Sequence, residues 1–353
     1  MKPLSRLILL ALLPAALSAC SPGYVLRATW EEAKILQRRT PIARVIADPR
    51  TDEATRAKLA LVLEARAYAA DSLGLRAGKS YTLFSRVESD TLALVLSAAY
   101  RDRFQARTWW FPVVGRVPYK GFFEEDDARR EVRRLEAQGF DTYLRPTAAF
   151  STLGWFNDPL LSTLLRYDEV SLANTVIHEL FHNTFYAPGQ AAFNESLANF
   201  VGGRGAIAFF CGRDGPESPA CRRASEEWDD DLLFGAFLSG LVRDLEALYG
   251  RADLTSEQKV AMREDVFAAA KERYARDVRP RLEVTNFDRF LNDQLNNATL
   301  ISRRLYYDRL DLFERVFRAR GGDLKRAMDD IVAAARSKKD DPYAAVAALV
   351  EPA

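Results

Sequence analysis

Both histidines of this 353-residue chain lie four residues apart, at His178 and His182 in the segment SLANTVIHELFHNTFY. The segment contains no proline and its apolar side chains recur at helical spacing, which predicts a buried or half-buried helix. Because residues i and i+4 of a helix project from one face, the two imidazoles can approach a single point. The chain must therefore fold so that this helix presents both histidines to one site.

The pattern around the histidines is HExxH, with Glu179 directly after the first of them. Two imidazoles on one helical face can each give a nitrogen to one zinc ion. Glu179, rotated by about 100° along the helix, would face the open coordination position, where a carboxylate can act as a general base. The alternative interpretation is that His178 and His182 are ordinary core or surface residues.

The first twenty residues, MKPLSRLILLALLPAALSAC, have the features of a bacterial secretory signal. A basic start precedes an apolar run over 7–17 that is too short to span a bilayer, which predicts a signal peptide at 1–19. The ending LSAC resembles a lipobox, so we expect Cys20 to be lipidated and to anchor the protein to the cell envelope. Ser21 after it favours the outer membrane, facing the periplasm. The alternative is a soluble secreted protein.

The two other cysteines, Cys211 and Cys221, are separated by the segment GRDGPESPA, which can turn the chain back on itself. An even pair in an oxidising compartment favours a disulfide over two free thiols. Metal ligation by this pair is disfavoured, because the spacing matches no common zinc knuckle.

A catalytic zinc site normally has three protein ligands, so a third ligand is needed. No histidine is left and the cysteines have other roles, which leaves a carboxylate. Glu195 lies thirteen residues after His182 on a second apolar stretch that follows a Pro188-Gly189 turn, and an antiparallel helix would bring it back to the metal. The alternatives that folding could bring in are Asp168, Glu169, Glu226 and Glu227. Candidate partners that could orient the ligands are Asn194, Asn199 and Thr184.

Composition excludes several classes of protein. With 50 Lys plus Arg against 49 Asp plus Glu, the chain has no bulk charge that implies nucleic acid or an acidic lipid surface. A chain of this length with 48% apolar residues can bury a hydrophobic core that is stable without disulfides or structural metal ions. We therefore expect one domain over 20–353 after removal of the signal.

The order of predicted elements indicates an α+β fold with a small mixed sheet and a mainly helical C-terminal half. Part 20–156 is expected to be helical and then β-rich, and part 157–353 is expected to be helical and to carry the active site. A helical region is expected over 24–73, with one run ending at Thr40-Pro41 and another beginning after a stop at Asp48-Pro49 and an N-cap at Thr51-Asp52. The further expected helices are 124–138, 159–167, 170–187, 191–202, 223–249, 255–278, 285–320 with a possible break, 323–337 and 342–350. The expected strands lie within 80–100, 107–123 and 141–156.

The motifs together resemble a known family. HExxH followed by a helix bearing Asn194, Glu195 and Ala198 resembles the gluzincin metallopeptidases. The longer segments GWFNDPLLSTLLRYDEVSLANTVIHELFHNTFY, FNESLANFVG and VPYKGFF, with the lipobox, are similar to a bacterial family of predicted aminopeptidase lipoproteins. This resemblance implies a zincin-like core, with His178, His182 and Glu195 as ligands of one zinc ion per chain and Glu179 as the base.

The reaction would need a further donor to stabilise an oxyanion, and no third histidine exists. The candidates are Tyr306 and Tyr307, with Tyr186 as the near alternative and core packing as the ordinary explanation. Ala148, Ala149 and Phe150 lie where gluzincins keep the edge strand that pairs with a peptide substrate, although a plain sheet strand is equally consistent. The acidic cluster over 124–127 is better explained as a solvated helix start than as a site for the substrate's ammonium group.

The sequence thus predicts a membrane-anchored zinc peptidase acting on peptide substrates, with an aminopeptidase favoured. The alternatives are an endopeptidase, a hydrolase of peptidoglycan stem peptides, and a non-enzymatic envelope lipoprotein that contains zinc.

Overall fold

The computed structural model describes residues 39–87, 93–111, 115–147 and 158–350. The predicted signal at 1–19, Cys20 and the predicted substrate strand over 148–150 lie outside the described residues.

The described strands are short and form three small sheets. They are β1 (Thr40–Pro41), β2 (Leu83–Ser85), β3 (Ala93–Tyr100), β4 (Trp109–Phe111), β5 (Gly115–Val117), β6 (Tyr119–Phe122), β7 (Phe140–Thr147) and β8 (Leu160–Leu161). In the first sheet β2 pairs antiparallel with β1 and parallel with β8. In the second, β3 lies between β6 and β7, both antiparallel to it. Strands β4 and β5 form a separate antiparallel pair.

Helices dominate the remainder of the described chain. They are α1 (Ile42–Ala47), α2 (Glu53–Asp71), α3 (Glu125–Ala137), α4 (Glu169–Thr184), α5 (Ala191–Asp214), α6 (Pro219–Tyr249), α7 (Ser256–Arg273), α8 (Arg289–Asn292), α9 (Asn297–Tyr307), α10 (Leu310–Ala319), α11 (Leu324–Ser337) and α12 (Pro342–Ala347). A 3-10 helix covers Ser162–Arg166, and α7 continues through a π-helical turn over Tyr274–Val278 into a 3-10 turn over Arg279–Arg281. Within the described ranges no helix combines the length and apolar character that a membrane crossing requires.

The α+β class is confirmed, but the expectation of one small sheet is wrong. Proline has no N–H to donate to a ladder, and Pro118 falls between β5 and β6, where one pairing ends and another begins. The helix expected over 159–167 is also wrong at its start, because Leu160 and Leu161 pair with Phe84 and Ser85 of β2.

Helix α6 begins four residues before its expected start. The hydroxyl of Ser218 accepts a hydrogen bond from the backbone N–H of Cys221 at 3.2 Å, and Pro219 occupies the first turn. Both features stabilise a helix N-terminus, since a hydroxyl satisfies a free N–H and proline needs none there.

Helices α4 and α5 pack unusually closely, because α5 carries glycines at the contact. A Cβ atom on Gly202 would lie 2.3 Å from Asn174 Oδ1 and 3.2 Å from His178 Cβ, both on α4. A Cβ atom on Gly203 would lie 2.4 Å from Trp228 of α6. These distances are below van der Waals contact, so a side chain at 202 would push α5 away from α4 and one at 203 would push it away from α6. The segment VGGRG thus allows α5 to lie directly against the helix of the two histidines.

The main core surrounds this helix pair. Ile177, Leu180 and Phe181 of α4 are fully buried against side chains of α2, α5, α10 and α11. A second, aromatic core centres on Phe234 of α6, whose ring stacks on that of Phe287 with centroids 4.0 Å apart. The two cores hold α4, α5 and α6 in fixed positions around the site described below.

Candidate metal centre and adjoining cavity

Helix α4 brings His178 and His182 together as their spacing predicts. The carboxylate of Asp168 accepts a hydrogen bond from the N–H of Ser171 at 3.0 Å, which fixes the start of the helix. Further along, the Nε2 atoms of His178 and His182 lie 3.2 Å apart, with their ring planes at 80°. The two imidazoles therefore converge on one point.

Helix α5 brings Glu195 to the same point. Its Oε2 atom lies 3.5 Å from His178 Nε2 and 3.6 Å from His182 Nε2. The short connection between the helices is clamped by Asn194, whose side-chain amide donates to the carbonyl of Ala187 and accepts from its N–H, both at 2.8 Å. Asn194 thus fixes the turn that returns Glu195 to the histidines.

The ligand atoms of His178, His182 and Glu195 all lie within 4.8 Å of one another, an arrangement that could hold a metal ion. A tetrahedral site with bonds of about 2.0–2.1 Å has ligand-to-ligand distances of about 3.3–3.4 Å. The three separations of 3.2, 3.5 and 3.6 Å are close to that value.

The electrostatics of the group also favour a cation. Burial alone would raise the pKa of Glu195, but the adjacent imidazoles outweigh it and hold that pKa far below its usual range. Burial is the largest single effect on the pKa of the His182 imidazole and lowers it, but the charge and hydrogen bond of Glu195 and the charge of Glu179 together raise it by more, so the net pKa lies above the usual value. The attraction that favours a proton on His182 would equally favour a metal cation in its place.

Glu179 lies beside this group on α4. Its Oε2 atom is buried and has no hydrogen-bond partner among the described residues. Burial, followed by the negative charge of Glu179, raises the pKa of the Tyr81 hydroxyl well above its usual value, which marks Tyr81 as a close neighbour. A buried carboxylate oxygen without a partner is costly in a folded protein unless a ligand or water meets it.

A cavity of about 580 Å³ opens directly onto His178 and Glu179. It is bounded by α4, α5, α6, the end of β7 and the segment after α7. The side chains that line it beyond the histidine helix include Arg145, Thr147, Asn199, Trp228, Glu227, Asp231, Thr285, Asn286 and Tyr306. The volume falls within the range of small-ligand pockets.

Tyr306 and Tyr307, adjacent at the end of α9, have different surroundings. The ring of Tyr306 lies 6.2 Å from that of His178 and lines the cavity. The ring of Tyr307 packs instead in the aromatic core, 5.3 Å from Phe234 and 5.9 Å from Phe287. Successive helical residues point about 100° apart, which lets the two rings reach different surroundings. The structure places Tyr306 at the cavity and Tyr307 in the aromatic core.

Two residues that the sequence analysis did not single out also belong to this region. Arg145, near the end of β7, lines the cavity and donates hydrogen bonds to Ser302 Oγ at 3.3 Å and Tyr306 Oη at 3.5 Å. Tyr119 of β6 is half-buried, and after burial it is the charge of Glu195 that most raises the pKa of its hydroxyl. Tyr119 lies in VPYKGFF, a segment that entered the sequence-based predictions as part of a strand region and of a resemblance. Strands β6 and β7 thus contribute to the site.

Asn199 connects α5, α6 and α9. Its side-chain amide donates to the backbone carbonyl of Tyr306 at 3.0 Å and to Asp231 Oδ2 at 3.4 Å. Burial raises the pKa of the Asp231 carboxyl to about 7, against the lowering effect of Asn199. The sequence analysis had proposed Asn199 as a ligand-orienting residue; the structure gives it contacts to Tyr306 and Asp231.

Other predicted residues have structural contacts. The hydroxyl of Thr184 accepts a hydrogen bond from the backbone N–H of Arg76 at 2.9 Å. Burial, followed by the negative charge of Glu195, raises the pKa of the Tyr186 hydroxyl to about 12. Asp168 and Glu227 each form an ion pair with Arg223, at 3.1 and 3.0 Å. These pairings give Asp168 and Glu227 roles outside the ligand group.

Two further predictions concern segments away from the ligands. Cys211 and Cys221 are joined by a disulfide that links α5 to α6. In the acidic cluster over 124–127, Glu125 pairs with Arg129 at the exposed start of α3, and none of the four residues lines the cavity. Ala148, Ala149 and Phe150 lie outside the described residues, directly after Thr147 at the cavity edge.

Comparison with known proteins gives one match. A family model described as "Putative aminopeptidase" matches residues 23–345, which is all but the first 22 and last eight residues. No curated protein and no solved structure matched the chain. The description of the family suggests peptidase activity, in agreement with a metal-binding group beside a cavity. From the extent of this match, the chain belongs to the Putative aminopeptidase family.

Proposed function

We propose that this protein is a zinc-dependent peptidase with a zincin-like active site, and that it releases residues from the N-termini of peptides. The observation that carries the proposal is the convergence of His178, His182 and Glu195 beside Glu179 at the mouth of a cavity. A structural zinc site usually has four protein ligands, rich in cysteine, whereas this group supplies three and leaves a position open.

Zinc is the metal that this donor set fits best. Two imidazole nitrogens and one carboxylate oxygen are typical of catalytic zinc, whereas magnesium and calcium prefer oxygen ligands throughout. The separations of 3.2–3.6 Å between the ligand atoms also suit the bond lengths of zinc. When bound, zinc would supply Lewis acidity that lowers the pKa of a water molecule and polarises a carbonyl group.

The chain's own residues would carry the proton transfers. Glu179 is placed to accept a proton from the attacking water and to return it to the leaving amine nitrogen, because it lines the cavity beside His178 and its Oε2 has no competing hydrogen-bond partner among the described residues. The hydroxyl of Tyr306 would donate a hydrogen bond to the developing oxyanion. Arg145 would position Tyr306 and add positive charge at that wall.

The end of β7 would hold the substrate backbone. In the described part of the second sheet β7 is an edge strand, and its last residues, over 145–147, line the cavity. An extended peptide can pair with such an edge through main-chain hydrogen bonds. We propose that the strand continues through Ala148, Ala149 and Phe150 to provide that edge.

We also propose that the peptidase works at the cell envelope. A lipid on Cys20 would anchor it to the outer membrane, on the side that faces the periplasm. The lipobox-like LSAC segment supports this location. Metabolic labelling with a radioactive fatty acid tests it: wild type should incorporate label and fractionate with membranes, and Cys20→Ser should do neither. Equal labelling of both proteins would refute lipidation at Cys20.

The catalytic claim is tested by Glu179→Gln, with Glu169→Gln as the matched control on an exposed position of the same helix. Glu179→Gln should retain zinc and lose about 10²- to 10⁴-fold in the rate of hydrolysis of aminoacyl fluorogenic amides. Glu169→Gln should match wild type in both measurements. Unchanged hydrolysis by Glu179→Gln would refute its role.

The metal claim has its own variant, Glu195→Ala, which should lower zinc occupancy measured by elemental analysis. A chelator should abolish hydrolysis by wild type, and added zinc should restore it. Full zinc retention by Glu195→Ala would assign the third ligand to another residue. Bound zinc without hydrolysis of aminoacyl or N-blocked peptides would favour a non-enzymatic lipoprotein instead.

A further inference from the structure

Asp231 contributes a carboxylate to the cavity, and no cation among the described residues forms an ion pair with it. In the described part of the chain, its hydrogen bond comes from the neutral amide of Asn199, at the long distance of 3.4 Å. Glu227, on the same wall, differs because Arg223 neutralises it at 3.0 Å. A carboxylate that is partly withdrawn from water is costly to keep charged unless a positively charged group joins it. The charge pattern of the cavity therefore indicates a cationic occupant beside Asp231.

The position of Asp231 relates this occupant to the metal centre. Asn199, its hydrogen-bond donor, follows the ligand Glu195 by four residues, so the two lie on one face of α5 about 6 Å apart along the axis. Asn199 also holds the backbone of Tyr306, whose ring contacts that of His178. Asn199 thus lies about one helical turn beyond Glu195, and its side-chain amide reaches Asp231 on α6.

Asp231 shares this cavity with residues of the ligand group. In an α-amino acid the nitrogen lies about 2.5 Å from the carbonyl carbon, from standard bond lengths and angles. A carboxylate that binds this nitrogen must therefore line the cavity in which the carbonyl reacts, and Asp231 lines the cavity together with His178 and Glu179. Glu179 also has a buried Oε2 atom with no hydrogen-bond partner among the described residues, which indicates independently that a polar ligand belongs beside it.

We propose that Asp231 binds the α-ammonium group of the substrate's first residue, with Asn199 orienting the carboxylate, and so selects peptides with free N-termini. This inference rests on the proposed peptidase function and makes it an exopeptidase. Asp231 would thus determine specificity for the free amino terminus. The acidic residues at the start of α3 do not line the cavity and cannot take this role.

The test compares the zinc-loaded wild type with Asp231→Asn, which keeps the size of the side chain but removes its charge. Asp229→Asn is the matched control, because Asp229 is exposed and two residues along a helix project from opposite sides. The substrates are a leucyl fluorogenic amide and its N-acetyl derivative, and zinc content is measured for each protein.

We expect Asp231→Asn to retain zinc and to lose about 10- to 100-fold in kcat/KM for the free-amine substrate, the loss typical of a charge-assisted hydrogen bond. Hydrolysis of the N-acetyl substrate should stay at the wild-type rate, and Asp229→Asn should behave as wild type on both. Equal losses on the two substrates, or no loss on the free amine, would overturn the inference while leaving the peptidase function intact.

A binding measurement separates failure of the inference from failure of the function. Calorimetry with leucinamide and N-acetyl-leucinamide is performed on zinc-loaded Glu179→Gln, with and without Asp231→Asn. Binding of leucinamide that disappears with Asp231→Asn supports the inference even if no substrate is hydrolysed. Equal affinity for both compounds, or unchanged leucinamide binding after Asp231→Asn, overturns it.

Discussion

Replacing Gly202 by alanine should disturb the arrangement of His178, His182 and Glu195 by changing the packing of α5 against α4. The added Cβ would lie 2.3 Å from Asn174 Oδ1, 3.0 Å from the Asn174 carbonyl oxygen and 3.2 Å from His178 Cβ. The side chain of Asn174 can turn aside, but its carbonyl belongs to α4 itself and cannot. Helix α5, which carries Glu195, must then move away from α4, which carries both histidines.

The magnitude follows from two opposing effects. Forcing a methyl group into a closely packed contact costs about 1–3 kcal/mol. Alanine in place of glycine inside a helix returns up to about 1 kcal/mol. The free energy of unfolding should therefore fall by up to about 2 kcal/mol. Metal ligands tolerate errors of only about 0.2 Å, so even a small separation of the helices should weaken zinc binding by about 10- to 100-fold.

Gly212→Ala provides the control, because Gly212 lies in the same helix and a Cβ there meets no atom within 4 Å. Unfolding by urea would be followed by circular dichroism, and zinc affinity by competition with a chelating dye. Gly212→Ala should be as stable as wild type or more so, with unchanged zinc affinity. If Gly202→Ala matched Gly212→Ala in both measurements, the close contact of the helices would not support the metal group.

Two further predictions concern the cavity walls. Because the pKa of Asp231 is raised to about 7 from 3.8, the native state binds more protons than the unfolded state between these values, and stability falls as pH rises through them. In metal-free buffer, the stability of Asp231→Asn relative to wild type should therefore increase as the pH rises from 4 to 8. The increase should be smaller than the roughly 4 kcal/mol that corresponds to the full pKa shift, because water can enter the cavity. Urea unfolding measures it, and a stability difference that does not change with pH would contradict the prediction. Tyr306→Phe should lower kcat by about 10²- to 10³-fold with little change in KM, whereas Tyr307→Phe should keep the wild-type kcat; equal values for the two variants would remove Tyr306 as the oxyanion donor.

Some positions in the site depend only on neighbouring residues of the chain, and these could be predicted from the sequence. The spacing of His178 and His182 fixes their shared face, because helical geometry is local. Glu195 was within reach of the same reasoning, since the connection between α4 and α5 is too short to carry it elsewhere. The α+β class follows likewise from local periodicity.

The remainder depends on contacts between distant parts of the chain. Arg145 reaches the cavity because β7 pairs with β3 and packs near α9, and nothing in its neighbouring residues indicates that placement. The choice of Tyr306 over Tyr307 depends on which side of α9 meets the aromatic core around Phe234. The division of the strands into three sheets depends equally on pairing partners far away in the chain.

By itself, the sequence predicted that one helix carries two imidazoles and a carboxylate on adjacent faces, and that a further carboxylate completes a group that could hold a metal ion. Only the tertiary structure decided what surrounds them: the glycine contact that brings α5 against α4, the arginine and tyrosine at one wall, and at another the carboxylate of Asp231, which no cation among the described residues balances. The physical reason is that ligand spacing along a helix is set by the backbone, whereas the charge and shape of a cavity are set by the packing of elements far apart in the chain.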